Sequence, residues 1–103
     1  MAEALALFRD LGHRRGIARV LDIFGGAAAH HGQAERALRL AGAAGAIRHA
    51  LGAPLFQAEE VALARDLDPA RQSLGDAAVS AEMEGWSMTM EAAIEYALSE
   101  RTD

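Results

Sequence analysis

Between Arg19 and Leu51 small residues recur at helical spacing on both sides of a Gly32-Gln33 turn. Leu21, Phe24, Gly25 and Ala28 precede the turn, and Ala37, Ala41 and Ala44 follow it. Apolar residues three and four apart mark one face of a helix. Two such faces, joined by a tight turn and separated only by small side chains, predict a close-packed antiparallel helix pair. Alanine supplies 25 of the 103 residues. It has the best helix propensity but buries little area, so a core built on it needs many close approaches rather than a few large side chains.

The rest of the chain reads as helix punctuated by glycine and proline. Met1 to Leu11 carries Ala4, Leu5, Phe8 and Leu11 along one side, with Gly12 where a C-cap wants glycine. Arg14 to His31 follows, with Ile17, Val20, Leu21, Phe24 and Ala28 inward. Gln33 to Leu51 is its partner, packing Ala34, Ala37, Ala41 and Ala44 backward and offering Leu40, Ile47 and Leu51 to whatever comes next. Gly25-Gly26 costs roughly 1 kcal/mol per glycine against alanine, and Gly25 offsets this if it lets the next helix approach. Gly52-Ala53-Pro54 ends this part of the chain. Beyond it a helix is expected over Ala58 to Leu67, with Val61, Leu63 and Leu67 as its larger apolar residues. A break or kink is expected at Asp68-Pro69, a ready N-cap and first-turn proline, with the helix restarting toward Leu74. A short helix from Gly75-Asp76 to near Gly85 should turn Val79 and Met83 inward. A last one, Met90 to Ser99, is capped by Thr89 and places Ile94, Ala97 and Leu98 on its core side, and Arg101-Thr102-Asp103 forms a frayed tail. No stretch alternates as a strand does, so the fold class is all-α over a single helical domain, 1–103, with 1–51 as its paired helices and 55–100 as capping helices.

Charge and composition exclude several classes. The formal charge of −5 opposes general nucleic-acid binding, which rests on neutralising phosphates. With no cysteine there is neither a disulfide framework nor a thiolate metal site. No run approaches the roughly 20 apolar residues that span a bilayer. The N-terminus lacks the basic start and apolar core of a signal peptide, so the cytoplasm is the expected compartment.

Candidates for chemistry are few. His30 and His31 are adjacent and point about 100° apart on a helix, while His13 and His49 lie elsewhere, so a shared metal ion is not expected and helix-end histidines are. Arg14, Arg15 and Arg19 stand beside Asp10 and Asp22, where they form either a phosphate or acidic-partner grip or, as preferred here, a solvated face laced with local ion pairs. The pairs Glu59-Glu60 and Glu82 with Glu84 have no adjacent nucleophile, and neither a cofactor nor catalysis is expected. Met83, Trp86, Met88 and Met90 form a soft apolar cluster, read as packing of the last helix unless Trp86 is exposed.

The Arg19–Leu51 pattern resembles a tetratricopeptide repeat, with its Leu-Gly and two alanines seven apart in the second helix. Taken in order, Ala4-Leu-Ala-Leu-Phe-Arg-Asp-Leu-Gly12, Arg14-Arg-Gly-Ile-Ala18, Ala37-Leu-Arg-Leu-Ala-Gly-Ala-Ala44, Leu51-Gly-Ala-Pro54, Ala70-Arg-Gln-Ser-Leu-Gly75 and Glu91-Ala-Ala-Ile-Glu-Tyr-Ala-Leu98 are similar to the C-terminal helical repeats of LuxR-type and AfsR-type bacterial transcriptional regulators and related predicted ATPases. Ala28 and Ala41 depart from the aromatics usual there, and no Walker A loop is present, so ATPase activity does not carry over. The resemblance implies a non-catalytic protein-interaction or oligomerisation module, or alternatively a helical domain that senses a small-molecule effector. It also implies a chain that begins in mid-array, leaving Leu5, Phe8 and Leu11 as a self-association face and the isolated chain a homodimer. Leu40, Ile47, Trp86 and Met88 are the residues expected to face a partner protein or ligand.

Overall fold

The computed structural model describes residues 2–99. Six helices follow one another: α1 (Ala2–Leu11), α2 (Arg14–His30), α3 (Ala34–Leu51), α4 (Gln57–Leu74), α5 (Ala77–Trp86) and α6 (Met90–Leu98). No strand occurs among the described residues, and the all-helical class expected from the periodicity holds. The expected tail Arg101-Thr102-Asp103 lies outside the described residues.

Chain reversals follow local chemistry. Gly12, Gly32, Gly52 and Gly75 all have positive φ, between 56° and 75°, a conformation that costs a side-chain-bearing residue about 1–2 kcal/mol. Gly32 turns the chain so that α3 runs back along α2, and a Cβ at Gly25 would stand only 3.2 Å from the Ala37 carbonyl oxygen. The absent side chain is what lets the two axes come that close. Thr89 caps α6 as expected, its Oγ1 accepting from the Ala92 N–H at 3.1 Å.

Two apolar clusters hold the helices. In the larger, Leu5, Ile17, Val20, Leu21, Leu40, Ile47 and Ile94 are joined by small residues of α3 and α6. In the smaller, Leu38, Leu67, Ala28, Ala37, Ala70, Ala78 and Ala81 tie α4 and α5 to the α2–α3 pair. Arg36 fastens α6 from outside these clusters, donating to the Tyr96 and Ala97 carbonyls at 3.0 and 2.7 Å and lying 5.1 Å from the Tyr96 ring centroid. A cation at the carbonyl end of a helix is also favoured by the helix dipole.

Three expectations are corrected. Helix α4 runs unbroken through Pro69. Pro69 removes the N–H partner of the Arg65 carbonyl, but Arg65, Asp66, Asp68 and Pro69 lie on an exposed side of α4, while buried Leu67 and Ala70 hold the helix. In α5, Val79 and Met83 point outward, 67% and 63% exposed, and Ala78, Ala81 and Gly85 point inward. The local ion pairs expected around Arg19 are replaced by tertiary ones: Arg19 with Glu59, and Asp22 with Arg48.

Candidate functional site

The inversion of α5 comes from its crossing with α3. A Cβ on Gly42 would overlap the Glu82 carbonyl, and one on Gly85 would overlap the Arg39 carbonyl. Each helix thus meets the other's backbone at a glycine, and no large side chain fits between them. Val79 and Met83 are left on its far side, and Trp86, at i+7 from Val79, ends the same stripe with its ring folded back toward α3. Trp86 is 49% exposed, lies across Gly45 and sits against His49, with ring centroids 5.6 Å apart. Arg39 and Arg71 tie down the flanks, with Arg39 to Glu84 at 3.5 Å and Arg71 to Glu82 at 2.6 Å.

The residues expected to meet a partner are divided by this geometry. Leu40 is fully buried and Ile47 nearly so, because the core cluster with Leu21 and Ile94 covers them. Neither is presented at the surface, and neither lines the cleft between α2 and α4. Met88 is half-buried against the same cluster, so of the four only Trp86 is presented. The expected face on α1 is divided too. Leu5 is fully buried in the cluster that α2 and α6 complete, which removes it from any open face. Phe8 is half-buried against the His13 ring, and the missing side chain of Gly16 makes room for it. Leu11 remains exposed, beside Leu7. The soft methionine cluster also separates, with Met88 and Met90 against the core and Met83 outward.

A second feature lies between α2 and α4, a cleft of about 600 Å³ roofed by Ala53 to Phe56. The fully buried residues of α4, Leu67 and Ala70, lie in its second half, and from Gln57 to Asp66 none is fully buried, with Leu63 only partly so. Ile23, Ala27, Phe56, Ala62 and Leu63 supply apolar walls. In the floor Arg48 donates to Asp22, and both side chains are largely buried. The second carboxylate oxygen, Oδ1, is buried with no partner. Burial pushes Asp22 up to about 6, outweighing the opposing pull of Arg48, with nearby Glu59 adding to the rise. Across the mouth Arg19 reaches Glu59 at 3.4 Å, while the other Glu59 oxygen accepts from the Phe56 N–H at 3.1 Å.

The periodicity of α2 hid the cleft. Its inward face was legible, but the cleft uses the adjoining face, Arg15, Arg19, Ile23 and Ala27, a four-residue spacing that reads as an ordinary solvated side. The crossing of α3 and α5 had a signal in Gly42, set among alanines, and in Gly85, which shares a helix face with Ala78 and Ala81. Among the described residues no three histidine, aspartate or glutamate side chains converge on a point that could hold a metal ion, and no helix is long and apolar enough to cross a membrane. No family model matches the chain, and neither a curated protein nor a solved structure matches it.

Proposed function

We propose that this chain is a non-catalytic protein-interaction module whose contact face is the outer side of α5, and that its partner is a basic amphipathic helix. The observation that carries this is the outward stripe Val79, Met83 and Trp86 on a helix whose inward side is alanine and glycine. Apolar side chains of this size each gain about 1.5–3 kcal/mol on burial, and here a partner is what can supply it. Stripes with i, i+4 and i+7 anchors suit helix-on-helix recognition.

Charge selects the partner. On the helix surface Asp76 stands beside the stripe with no ion-pair partner among the described residues, Glu82 and Glu84 are already met by Arg71 and Arg39, and α5 carries no basic residue. Residues 52–103 hold 11 of the 15 carboxylates and only 3 of the 10 arginines. A second copy would bring one acidic half against another, so a segment with arginine or lysine beside its apolar face fits better. The resemblance to the helical repeats of bacterial regulators supports protein contact as the role, with the chain acting inside a larger cytoplasmic regulator and α2–α3 as its tetratricopeptide-like pair.

Trp86 is the sole tryptophan, so its emission reports the face directly. A synthetic leucine-arginine amphipathic helix should shift that emission to the blue, and a peptide of the same composition in scrambled order should not. Val79→Ser with Met83→Ser should weaken the amphipathic peptide at least tenfold. Equal response to both peptides, or none to either, overturns the proposal. A blue shift that grows with protein concentration and needs no peptide assigns the face to a second copy instead.

A further inference from the structure

The α2–α4 cleft sits apart from the α5 stripe, and none of its lining residues belongs to α5. Its volume, about 600 Å³, lies within the range of small-molecule sites, roughly 300–1,000 Å³. Such sites combine apolar walls with a few placed polar groups. Here Ile23, Ala27, Phe56 and Leu63 line the middle, and the charged groups gather at its two ends and floor.

Most of those charges already have partners. Arg48 and Asp22 neutralise one another in the floor, and Arg19 meets Glu59 at the mouth. Arg19 is 73% exposed along its side chain, so that contact is weak and readily exchanged. One turn earlier Arg15 lines the same cleft with no carboxylate within ion-pair distance among the described residues. The first turn of α2 holds no acidic residue, although the positive end of a helix dipole favours one. Two guanidiniums and a helix dipole therefore share a single carboxylate at this end. At the other end Asp66 and His30 line the cleft together.

We infer that the cleft binds an amphipathic carboxylate, its acid group held by Arg15 and Arg19 and its apolar body lying over Ile23, Ala27, Phe56 and Leu63. Guanidinium forks match carboxylate geometry, and the incoming acid takes the place of Glu59 on Arg19. Glu59 keeps its bond to the Phe56 N–H, so the cleft roof stays in place when the exchange occurs. The order along α2 fixes the orientation. Arg15 and Arg19 precede Ile23 and Ala27 at four-residue steps, so the head sits at the N-terminal end and the tail runs toward Asp66.

Decanoate, decylamine and decanol share one tail and differ in the head, and titration calorimetry on the full chain separates them. Decanoate should bind at least tenfold more tightly than decanol, and decylamine should bind weakest because Arg15 repels it. Arg15→Gln with Arg19→Gln should reduce decanoate binding about tenfold and leave decanol unchanged. Gly26→Leu should abolish binding without loss of melting temperature. A Cβ at Gly26 meets nothing nearer than Asp66 Oδ2 at 3.8 Å, and leucine favours helix, so the new side chain fills the cleft rather than breaking the fold. Inorganic phosphate binding as tightly as decanoate would reduce the site to a bare anion site and overturn the apolar half of the inference. Tighter binding of decylamine, or decanoate affinity unmoved by the double glutamine variant, would overturn the orientation and the class of ligand.

Discussion

Helix α3 is built on opposite principles on its two sides. Toward α2 and α6 it presents Leu40 and Ile47, which interdigitate with Leu21, Val20 and Ile94 in a core of ordinary kind. Toward α5 it presents Gly42 and Gly45, and the two backbones nearly touch. The first side stabilises by burying large apolar area. The second gains dispersion contacts between main chains and small residues, and it leaves Val79 and Met83 of α5 in water and Trp86 only half-covered. Residue size is therefore a good guide to burial where helices are held apart by side chains. It is a poor guide where they are not, and there the outward side becomes the apolar one.

Three substitutions separate the two principles. The largest effect belongs to Leu40→Ala, which removes a fully buried side chain from the first side. It should cost about 2–5 kcal/mol, read from urea unfolding. Next is Gly85→Ala on the second side, whose Cβ would overlap the Arg39 carbonyl, a backbone atom that cannot rotate away. The expected cost is about 3 kcal/mol, at the upper end for overpacking and despite the better helix propensity of alanine. Gly45→Ala is its control, since the new Cβ would meet only the Trp86 ring at 3.2 Å, the end of a half-exposed side chain that can shift. If Gly85→Ala proved as mild as Gly45→Ala, the two sides of α3 would not differ as described.

Much of this fold was legible in the residues, and the parts that were not share a cause. The positive-φ glycines, the Thr89 cap, the α2–α3 pair with Gly25 against Ala37, and the burial of Ile17, Leu21 and Ile94 all follow from local rules, since each needs only its own neighbours. Pro69, Val79 and Met83 were misplaced because their state depends on what packs beside them. Pro69 is tolerated because its side of α4 faces water. Val79 and Met83 are displaced because Gly42 and Gly85 bring two backbones together across 43 residues of sequence. The candidate face was visible only as a methionine-tryptophan cluster. Its orientation is a property of the crossing and not of α5.

Asp22 gives a test on the far side of the α2–α3 pair, where α2 and α3 meet through charge rather than size. Its folded pKa, about 6, stands above the ordinary aspartate value of 3.8, so the folded chain holds the proton more tightly than the unfolded one. That contribution to stability is fully present below about pH 4 and is lost as pH rises through 6. From end to end it amounts to about 3 kcal/mol. Arg48 and Arg19 oppose the rise and Glu59 adds to it. The unfolding free energy of the wild type minus that of Asp22→Asn should therefore fall between pH 4 and pH 7. A difference that stayed level would mean that Asp22 is well solvated and that the cleft floor is open to water.

The smallest expected effect is the most telling. Val79→Ser with Met83→Ser changes two apolar residues, which in the core would cost several kcal/mol. On the outer side of α5 both are more than three-fifths exposed, so unfolding free energy should move by no more than about 0.5 kcal/mol per site. Helix propensity predicts a slight loss at Met83 and almost none at Val79, because serine and valine rank together and methionine above them. Should the double variant unfold as easily as Leu40→Ala, α5 would be packing through its large residues after all. Stability left intact, together with loss of the amphipathic peptide, would separate the residues that hold α5 in place from those it holds out. That separation is what an interaction face requires, since residues free of any duty inside the fold are free to be matched to something outside it.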